Sequence, residues 1–398
     1  MKLLLIGHDA NRAGAQLVLL QLMRLLKQQP TVQMRLLLGA GGPLLADYEA
    51  LAPVTIWPAD DPHVINPVAD KMLAKLGRWE QARQRKAERQ QQAMNQVLGL
   101  TDVDVVLVNT VSSSEWFGRL TLSDGVRVIT FVHELAMSVK MYSDSDALAN
   151  LFRRTHHVLA VSEATADYYV DNQGVDRSKI TLFTLIDTPA LQQNIALAQQ
   201  QPNPFPALGI PGNAVVVGGC GNAEWRKGND LFVTLAKMVT VRFVETQGIA
   251  SLQPIHFVWV GMPPGAYRDD LWLDVQKAGL TSRVHFVEPT PDVLRYSTRF
   301  SMFALTSRED PYPLVVLEAG LSAVPVVCFA GAGGSPELVE TDGGMVIPYL
   351  DLAAMTDAIL VLAADPARRE TLGNRLCEKV LTRHPAEQSV VVLMNLLS

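Results

Sequence analysis

The sequence predicts an α/β protein built from two Rossmann-like, doubly wound domains. Short apolar runs alternate with longer helical patterns along the whole chain, which favours parallel sheets covered by helices. These runs form two sets, separated by a polar, proline-rich segment from Gln199 to Pro206. The length of 398 residues also suits two domains, because one domain commonly holds about 100–200 residues.

Apolar runs in each half of the chain are predicted to be strands. In the first half they are Leu3–Ile6, Met34–Leu38, Val105–Val108, Val128–Phe131 and Val158–Val161. In the second half they are Val215–Gly218, His256–Val260, Val284–Phe286, Met302–Leu305 and Val326–Phe329. We therefore predict an N-terminal domain at 1–198, a linker at 199–212 and a C-terminal domain at 213–380, followed by a last helix at Ala386–Leu397.

Composition and charge exclude several classes of protein. Apolar residues make up 48% of the chain and charged residues 19%, which is typical of a globular protein with an ample core. The formal net charge of −6 argues against nucleic-acid binding.

The cysteines and histidines show no metal or redox spacing. The run Met1–Gly7 is too short for a signal peptide, so we expect a cytoplasmic protein with reduced thiols.

Two carboxylates late in the second strand set indicate a ligand site. Glu318 is the only ionised side chain between Pro311 and Gly334, and it lies in a predicted helix, Leu314–Ala323, whose apolar faces should be buried. A buried carboxylate needs hydrogen-bond donors, and the vicinal hydroxyls of a ribose would supply them. Asp310 and the following proline are a helix-start signal, and the helix N-terminus offers backbone amides to an anion. Together these features predict a nucleotide ligand.

This stretch resembles the signature of the retaining glycosyltransferases with a GT-B fold, family 4. That signature is Glu, seven residues and Glu, followed by Ala, a small residue and a Pro-Val strand. Asp310 takes the first Glu position and Glu318 the second, and Ala319 and Pro325–Val326 follow the pattern. The resemblance implies two domains that face each other across a cleft, and a C-terminal segment at 381–398 that crosses back to the first domain.

A basic turn after the strand Val215–Gly218 also carries the resemblance. Two adjacent cations, Arg226 and Lys227, stand at a glycine-rich strand-to-helix turn, which by itself predicts an anion site. The family has a Lys-Gly here to hold the donor diphosphate, and Lys227 matches it. The family often has an Arg where this chain has Asn222, so Arg226 is expected to supply the second charge.

The resemblance implies roles for further positions. His133, at the end of a predicted strand, matches a family His near the donor sugar, and Gly14 matches one of two paired glycines in the first loop. Where the family commonly has glycines at 311 and 313, this chain has prolines, which lack backbone N–H groups. The expected catalytic residues are His133, Arg226, Lys227 and Asp310. The expected donor-binding residues are Gly14, Asn222, Tyr312, Pro313, Leu314, Val315 and Glu318.

We therefore expect a hexosyltransferase that moves a sugar from a nucleotide-diphosphate sugar, such as a UDP- or GDP-sugar, to an acceptor hydroxyl in cell-surface polysaccharide or glycoconjugate synthesis. The resemblance implies retention at the anomeric carbon. Fixed cations would stabilise the leaving diphosphate, so neither a cofactor nor a metal is expected. Asp144 and Asp146 mimic a metal-binding triplet, but helix capping explains them. Two alternatives stay open: a GT-B-type sugar-nucleotide epimerase or hydrolase, and a nucleotide-sugar-binding protein without turnover.

A long polar stretch at 70–96 is rich in Lys, Arg and Gln. One interpretation is a solvated helix or flap. The other is a basic helix that faces an acceptor or the inner face of the membrane, as in family members that work on lipid-linked acceptors. The middle of the stretch lacks an apolar face, which favours the first interpretation. The expected partners are a nucleotide-sugar donor and a glycan, lipid-linked or small-molecule acceptor.

Overall fold

The computed structural model describes residues 1–57, 68–245 and 253–397. The chain divides into two compact units, each built around one parallel sheet. Unit 1 consists of Met1–Ala160, Ala166–Leu185 and the chain from Val390 onward. Unit 2 consists of Val161–Thr165 and Ile186–Ser389.

The sheet of unit 1 contains seven strands: β1 (Lys2–Gly7), β2 (Gln33–Leu38), β3 (Val54–Ile56), β4 (Val105–Asn109), β5 (Arg127–Val132), β6 (His157–Ala160) and β7 (Ile180–Leu182). Their order across the sheet is β3-β2-β1-β4-β5-β6-β7. The chain winds outward from β1 on one side and from β4 on the other, which is the doubly wound arrangement. Both strands are buried on both faces along almost their whole length, as expected for a sheet between two layers of helices.

The sheet of unit 2 contains six strands: β8 (Val215–Cys220), β9 (Ile255–Val260), β10 (Val284–Val287), β11 (Met302–Leu305), β12 (Val326–Phe329) and β13 (Gly344–Ile347). Their order, β10-β9-β8-β11-β12-β13, repeats the winding of the first sheet. Two apolar clusters cover its faces. Phe232 and Trp259 meet edge to face in one cluster, and Phe300 and Phe303 lie in the other.

Helices connect the strands and cover the sheets. In chain order they are α1 (Gly14–Lys27), α2 (Leu45–Glu49), α3 (Val68–Lys75), α4 (Trp79–Val97), α5 (Ser114–Gly118), α6 (Ala136–Tyr142), α7 (Ser145–Arg154), α8 (Glu163–Gln173), α9 (Thr188–Gln200), α10 (Asn229–Glu245), α11 (Ala266–Lys277), α12 (Val293–Ser297), α13 (Leu314–Leu321), α14 (Ser335–Val339), α15 (Leu352–Ala364), α16 (Pro366–Arg383) and α17 (Ala386–Leu397).

The predicted α/β fold of two Rossmann-like domains is confirmed, and every predicted strand is present. Three further strands, β3, β7 and β13, are absent from the sequence prediction. Each is the outermost strand at its edge of a sheet, has only three or four residues and is partly exposed. Such edge strands lack the uninterrupted apolar run by which a buried parallel strand is recognised.

The polar stretch at 70–96 folds as most of α3 and α4, which an ion pair between buried Asp70 and Arg89 holds together. Most of α4 is polar and exposed, as predicted. The apolar face lies instead on α3 and on Leu76, the residue that directly follows it. Val68, Met72 and Leu76 follow one another at a spacing of four residues and are exposed by 77%, 65% and 73% of their surface.

Candidate active site

The winding of the unit 2 sheet reverses between β8 and β11. In doubly wound sheets, ligands bind outside the carboxyl ends of the strands at this switch point. The loop after β8 carries a short 3₁₀ turn, Trp225–Lys227, and the loop after β11 carries Asp310. The backbone amide of Arg308 donates to the carbonyl of Arg226 at 2.8 Å, so the two loops lie side by side.

Asp310 lies at the centre of this pair of loops and is 5% exposed. Its Oδ2 accepts hydrogen bonds from Lys227 Nζ at 2.6 Å and from Ser307 Oγ at 3.1 Å. Arg226 Nη1 lies 3.7 Å from Oδ1. Two predicted cations and the predicted carboxylate therefore form one cluster.

The expected role of Asp310 in starting the helix is wrong. α13 begins at Leu314 with Pro313 at its N-cap, and no side chain caps it. The segment Pro311–Pro313 sets Asp310 three residues before the N-cap, where its carboxylate binds cations instead of helix amides. The first two amides of α13, those of Leu314 and Val315, have no intrahelical acceptor, so they are available to a ligand.

The cations remain able to bind an anion. Lys227 has three N–H donors, and Asp310 takes one of them. Arg226 donates to Glu224 Oε1 at 2.8 Å and to the carbonyl of Glu309 at 2.9 Å, which fixes the plane of its guanidinium. Both side chains keep a partly exposed surface. The cluster is therefore a preorganised pair of cations with donors to spare.

Glu318 lies on the partly exposed side of α13. Burial raises the pKa of its carboxyl from 4.5 to about 7. Among the residues that the structure describes, none donates a hydrogen bond to this carboxyl group. The adjacent thiol of Cys220 is uncharged at neutral pH, since burial raises its pKa to about 12. The arrangement is a desolvated acceptor that lacks a protein donor, as the sequence predicts for a residue that binds ligand hydroxyls.

The remaining unit 2 positions have mixed surroundings. The hydroxyl of Tyr312 lies 2.9 Å from Nε2 of His384, so this side chain is used inside the protein and only its backbone remains for a ligand. Asn222 is exposed beside the Trp225–Lys227 turn, and its carbonyl accepts the amide of Glu224 at 3.0 Å. The structure thus brings most of the predicted residues together at the switch point of unit 2.

His133 and Gly14 belong to unit 1, where they lie at the carboxyl ends of strands. Asn109 donates through Nδ2 to the carbonyl of Ala15 at 3.1 Å, so its Oδ1 accepts from Nε2 of His133 at 3.0 Å. Nδ1 of His133 is then an unprotonated acceptor. Burial and the nearby His8 lower the pKa of His133 to about 3, so the ring is neutral. Gly14 opens α1, and a side chain there would meet no neighbour within 4 Å.

A polar group beside His133 escaped the sequence analysis. Gln16 donates through Nε2 to Asp9 Oδ1 at 2.6 Å and to Nε2 of His8 at 2.9 Å. Burial raises the pKa of Glu134 to about 7, and its carboxylate accepts the amide of His133 at 2.9 Å. His8 and Asp9 directly follow β1, so the rule that ligand-binding residues follow parallel strands would have found them.

The described ranges contain neither a candidate metal cluster nor a candidate membrane-spanning helix. No cluster of three or more His, Cys, Asp or Glu residues suited to a metal ion occurs at 1–57, 68–245 or 253–397. Asp144 accepts the amides of Asp146 and Ala147 at 3.0 Å, which confirms that it caps α7. Within the same ranges, none of the helices combines the length and the apolar character that a bilayer span requires.

Two family models match the chain. The model described as Glycosyltransferase Family 4 matches residues 13–183, and the model described as Glycosyl transferases group 1 matches residues 214–365. The first covers most of unit 1, and the second covers β8 to β13 with both loops of the unit 2 cluster. The matches therefore include the segments that carry the resemblance.

Curated relatives carry related names. The chain is 30% identical to the lipopolysaccharide core biosynthesis mannosyltransferase LpcC of Rhizobium leguminosarum bv. viciae, over 54% of this chain and 57% of that protein. It is 28% identical to the lipopolysaccharide core biosynthesis mannosyltransferase LpsB of Rhizobium meliloti, over 55% of this chain and 58% of that protein. The matches thus span little more than half of these relatives' length.

Solved structures share the fold over the whole chain. HepE of Anabaena in complex with UDP superposes with a TM-score of 0.73 at 18% identity, covering 100% of this chain and 99% of that one. WaaG, a glycosyltransferase involved in lipopolysaccharide biosynthesis, superposes with a TM-score of 0.67 at 12% identity, again over 100% and 99%. At these identities the likeness shows the fold alone. The two family models together match most of the chain and show that it belongs to the family 4 glycosyltransferases, and the shared fold is their GT-B fold.

Proposed function

We propose that the protein transfers a hexose from a nucleotide-diphosphate sugar to an acceptor hydroxyl in the synthesis of a cell-surface polysaccharide or glycoconjugate. The observation that carries this proposal is Glu318, a desolvated carboxyl group without a described protein donor, on the helix that follows the Lys227–Asp310 pair. A carboxylate for ribose beside cations for a diphosphate is the donor set that a nucleotide-diphosphate sugar requires. The names of the relatives, two lipopolysaccharide core mannosyltransferases, support the acceptor class.

The reaction breaks the bond between the anomeric carbon and the diphosphate oxygen. Negative charge grows on that oxygen, and preorganised donors lower the barrier because they need no reorganisation. Lys227, Arg226 and the amides at the start of α13 supply these donors. Asp310 orients the ammonium of Lys227 and accepts a hydrogen bond from a hydroxyl of the sugar. The acceptor oxygen bonds to the anomeric carbon, and its proton passes to the leaving diphosphate.

Within unit 1, His133 offers an unprotonated Nδ1 that can accept a hydrogen bond from a sugar hydroxyl, and its ring is neutral. We propose that transfer retains the anomeric configuration, since the chain belongs to family 4, and that it needs no metal, since the two basic side chains already supply the charge. Complexes of HepE with UDP and UDP-glucose favour a uridine donor among the candidates.

The proposal is tested by turnover on a panel of UDP-, GDP-, ADP- and dTDP-sugars with a lipopolysaccharide core acceptor. We expect release of one nucleoside diphosphate together with a glycosylated product of unchanged anomeric configuration, at the same rate in excess chelator. Loss of activity in chelator that magnesium or manganese restores would contradict the metal-free mechanism. Release of free sugar, or of an epimerised donor, would favour the hydrolase or epimerase alternative. Tight donor binding without any product would identify a binding protein.

We also propose that the protein is cytoplasmic and touches the inner face of the membrane through α3. Val68, Met72 and Leu76 form an exposed apolar face, and Trp79 at the start of α4 is 49% exposed beside it. Three exposed cations, Lys71, Lys75 and Arg78, flank this face. An apolar strip edged by cations matches an anionic lipid surface, where each basic residue contributes about 1 kcal/mol.

Vesicle sedimentation tests this surface. The double variant Met72→Glu/Leu76→Glu should lose binding to vesicles that contain phosphatidylglycerol by on the order of tenfold or more, because it buries charge in place of apolar area. Binding of the unchanged protein should weaken as salt is raised. Val97→Glu/Leu197→Glu changes two apolar residues that are 66% and 54% exposed elsewhere and should bind as the unchanged protein does. Equal binding of both double variants would contradict the proposal.

A further inference from the structure

Arg308 makes an unusually complete set of contacts beside the cation cluster. Its Nη1 and Nη2 donate to Oδ1 and Oδ2 of Asp230 at 2.8 and 2.7 Å, a two-pronged pair. Nη1 also donates to the carbonyl of Trp225 at 2.8 Å, and the guanidinium lies 4.7 Å from the centre of the Trp225 ring. The side chain is only 11% exposed. One arginine is therefore fixed in orientation by a carboxylate, a carbonyl and an aromatic face.

These contacts enclose the turn that carries the cations. Trp225 begins the 3₁₀ turn, and Asp230 lies in the first turn of α10 just after it. Gly228 between them has a φ of 69°, and a side chain there would lie 2.0 Å from the carbonyl of Thr306. The side chain of Arg308 thus binds Trp225 at the start of the turn and Asp230 just beyond its end. The backbone amide of Arg308 donates to the carbonyl of Arg226 within the turn.

The same residue belongs to the loop that carries Asp310. Arg308 stands two positions before Asp310. Its side chain therefore connects the loop that carries Asp310 to the loop that carries Arg226 and Lys227. Ion pairs on protein surfaces contribute little to stability. A guanidinium held by two carboxylate oxygens nevertheless fixes the position of the groups that it contacts. A misplacement of about 1 Å in a binding group costs up to 10²-fold in catalysis.

We infer that Arg308 is a positioning residue for the diphosphate-binding cations Arg226 and Lys227. The inference rests on the proposed function and adds a residue that acts on the donor through the 3₁₀ turn. It requires the planar guanidinium of arginine, because a lysine keeps the charge but has no rigid pair of N–H donors that matches both oxygens of Asp230. Loss of the paired hydrogen bonds between Arg308 and Asp230 loosens the 3₁₀ turn and moves Lys227 relative to Asp310.

Affinity for a nucleoside diphosphate, compared with affinity for its nucleoside, measures this role by calorimetry. UDP with uridine and GDP with guanosine are the probes. Arg308→Lys should weaken diphosphate binding by on the order of tenfold and nucleoside binding by less than about twofold, because only the diphosphate uses the turn. Asp230→Asn should have the same effect, since it breaks the paired hydrogen bonds from the other side. Trp225→Phe, which keeps the aromatic face, should bind nearly as the unchanged protein does.

Asp230→Asn also separates positioning from direct contact. If Arg308 instead bound the phosphates itself, freeing it from Asp230 would leave diphosphate affinity unchanged or raise it, and the inference would fall. Arg299→Lys is the matched control, because Arg299 donates to the carbonyls of Ala198, Gln199 and Gln201 away from both loops. It should lower the melting temperature and leave the ratio of diphosphate to nucleoside affinity unchanged.

The remaining outcomes are equally decisive. Parallel losses of diphosphate and nucleoside affinity in Arg308→Lys would show a structural role and overturn the inference. If Arg308→Lys fails to fold, Asp230→Asn alone decides between the two roles. An unchanged protein that binds none of the nucleoside diphosphates would remove the proposed function, and with it this inference. Binding that Arg308→Lys and Asp230→Asn leave intact would remove only the positioning role.

Discussion

Replacing Lys227 with alanine is expected to lower turnover by about 10²–10³-fold, the usual loss when one preorganised donor to a developing negative charge is removed. Lys227 is the cation that binds Asp310 directly, at 2.6 Å, and it keeps two further N–H donors for the diphosphate. The loss should fall mainly on kcat, because charge on the leaving oxygen is greatest in the transition state. Steady-state kinetics with the preferred donor measures the change.

Arg226→Ala is the matched comparison for Lys227→Ala. Arg226 is already held by Glu224 and by the carbonyl of Glu309, and it lies farther from Asp310, at 3.7 Å. Its removal should therefore cost less turnover than removal of Lys227. Equal losses would show that the two cations share the charge evenly and would contradict the assignment of Lys227 as the principal group.

Asp310→Asn completes the test of this cluster. If Asp310 acts partly by orienting Lys227, the losses in Asp310→Asn and Lys227→Ala should not add in the double variant. Fully additive losses would mean that Asp310 contacts the substrate independently of Lys227. Near-normal turnover of Asp310→Asn with the preferred donor would remove it from the catalytic residues.

The fold was predictable because its central strands are buried on both faces. The central strands β1, β4 and β8 are apolar on both faces, so no alternation of polar and apolar residues has to be recognised. Their position along the sequence follows from hydropathy alone. β3 and β7 form by pairing with a neighbour at the sheet edge, which is a tertiary property. The role of Asp310 at the start of α13 was mispredicted for a similar reason, since Asp310 finds partners far away in the sequence.

The residues of the candidate site could be named from the sequence, but the contacts between them could not. Lys227 and Asp310 are 83 positions apart, and nothing local indicates that they bind each other. Asn109 orients His133 across 24 positions, from the end of a neighbouring strand. Arg308 has no motif of its own, so its role emerges only when the two loops are seen together. Spacing identifies groups able to do chemistry, and packing decides which of them meet.

Replacing Glu318 with glutamine is expected to weaken nucleoside and donor binding by on the order of tenfold or more at pH 8, because two charge-assisted hydrogen bonds to the ribose become neutral ones. The pKa of Glu318 is about 7, and the ribose hydroxyls favour its ionised form. Affinity of the unchanged protein should therefore fall as the pH is lowered from 8 to 6, by about tenfold, in proportion to the ionised fraction. The glutamine variant should lack this dependence.

The same variant should gain stability without ligand. The pKa of Glu318 in the folded protein lies above its ordinary value of 4.5, so the group's contribution to stability is complete below about pH 4.5 and is lost as the pH rises through about 7. Glutamine carries no charge to desolvate. The melting temperature of Glu318→Gln should therefore exceed that of the unchanged protein at pH 8, and the difference should shrink toward pH 5.

Uridine and guanosine are the probes for the binding measurement, because a terminal phosphate titrates near pH 6 by itself and would obscure the change. Glu340→Gln is the control with the opposite sign. Glu340 pairs with Lys379 at 2.7 Å and Arg383 at 3.0 Å, which lowers its pKa, so its loss should reduce the melting temperature at pH 8 and leave nucleoside binding intact. If Glu318→Gln behaves like Glu340→Gln, with unchanged affinity and a lower melting temperature, Glu318 is a structural residue of α13. The ribose assignment, on which the proposed function depends, would then fail.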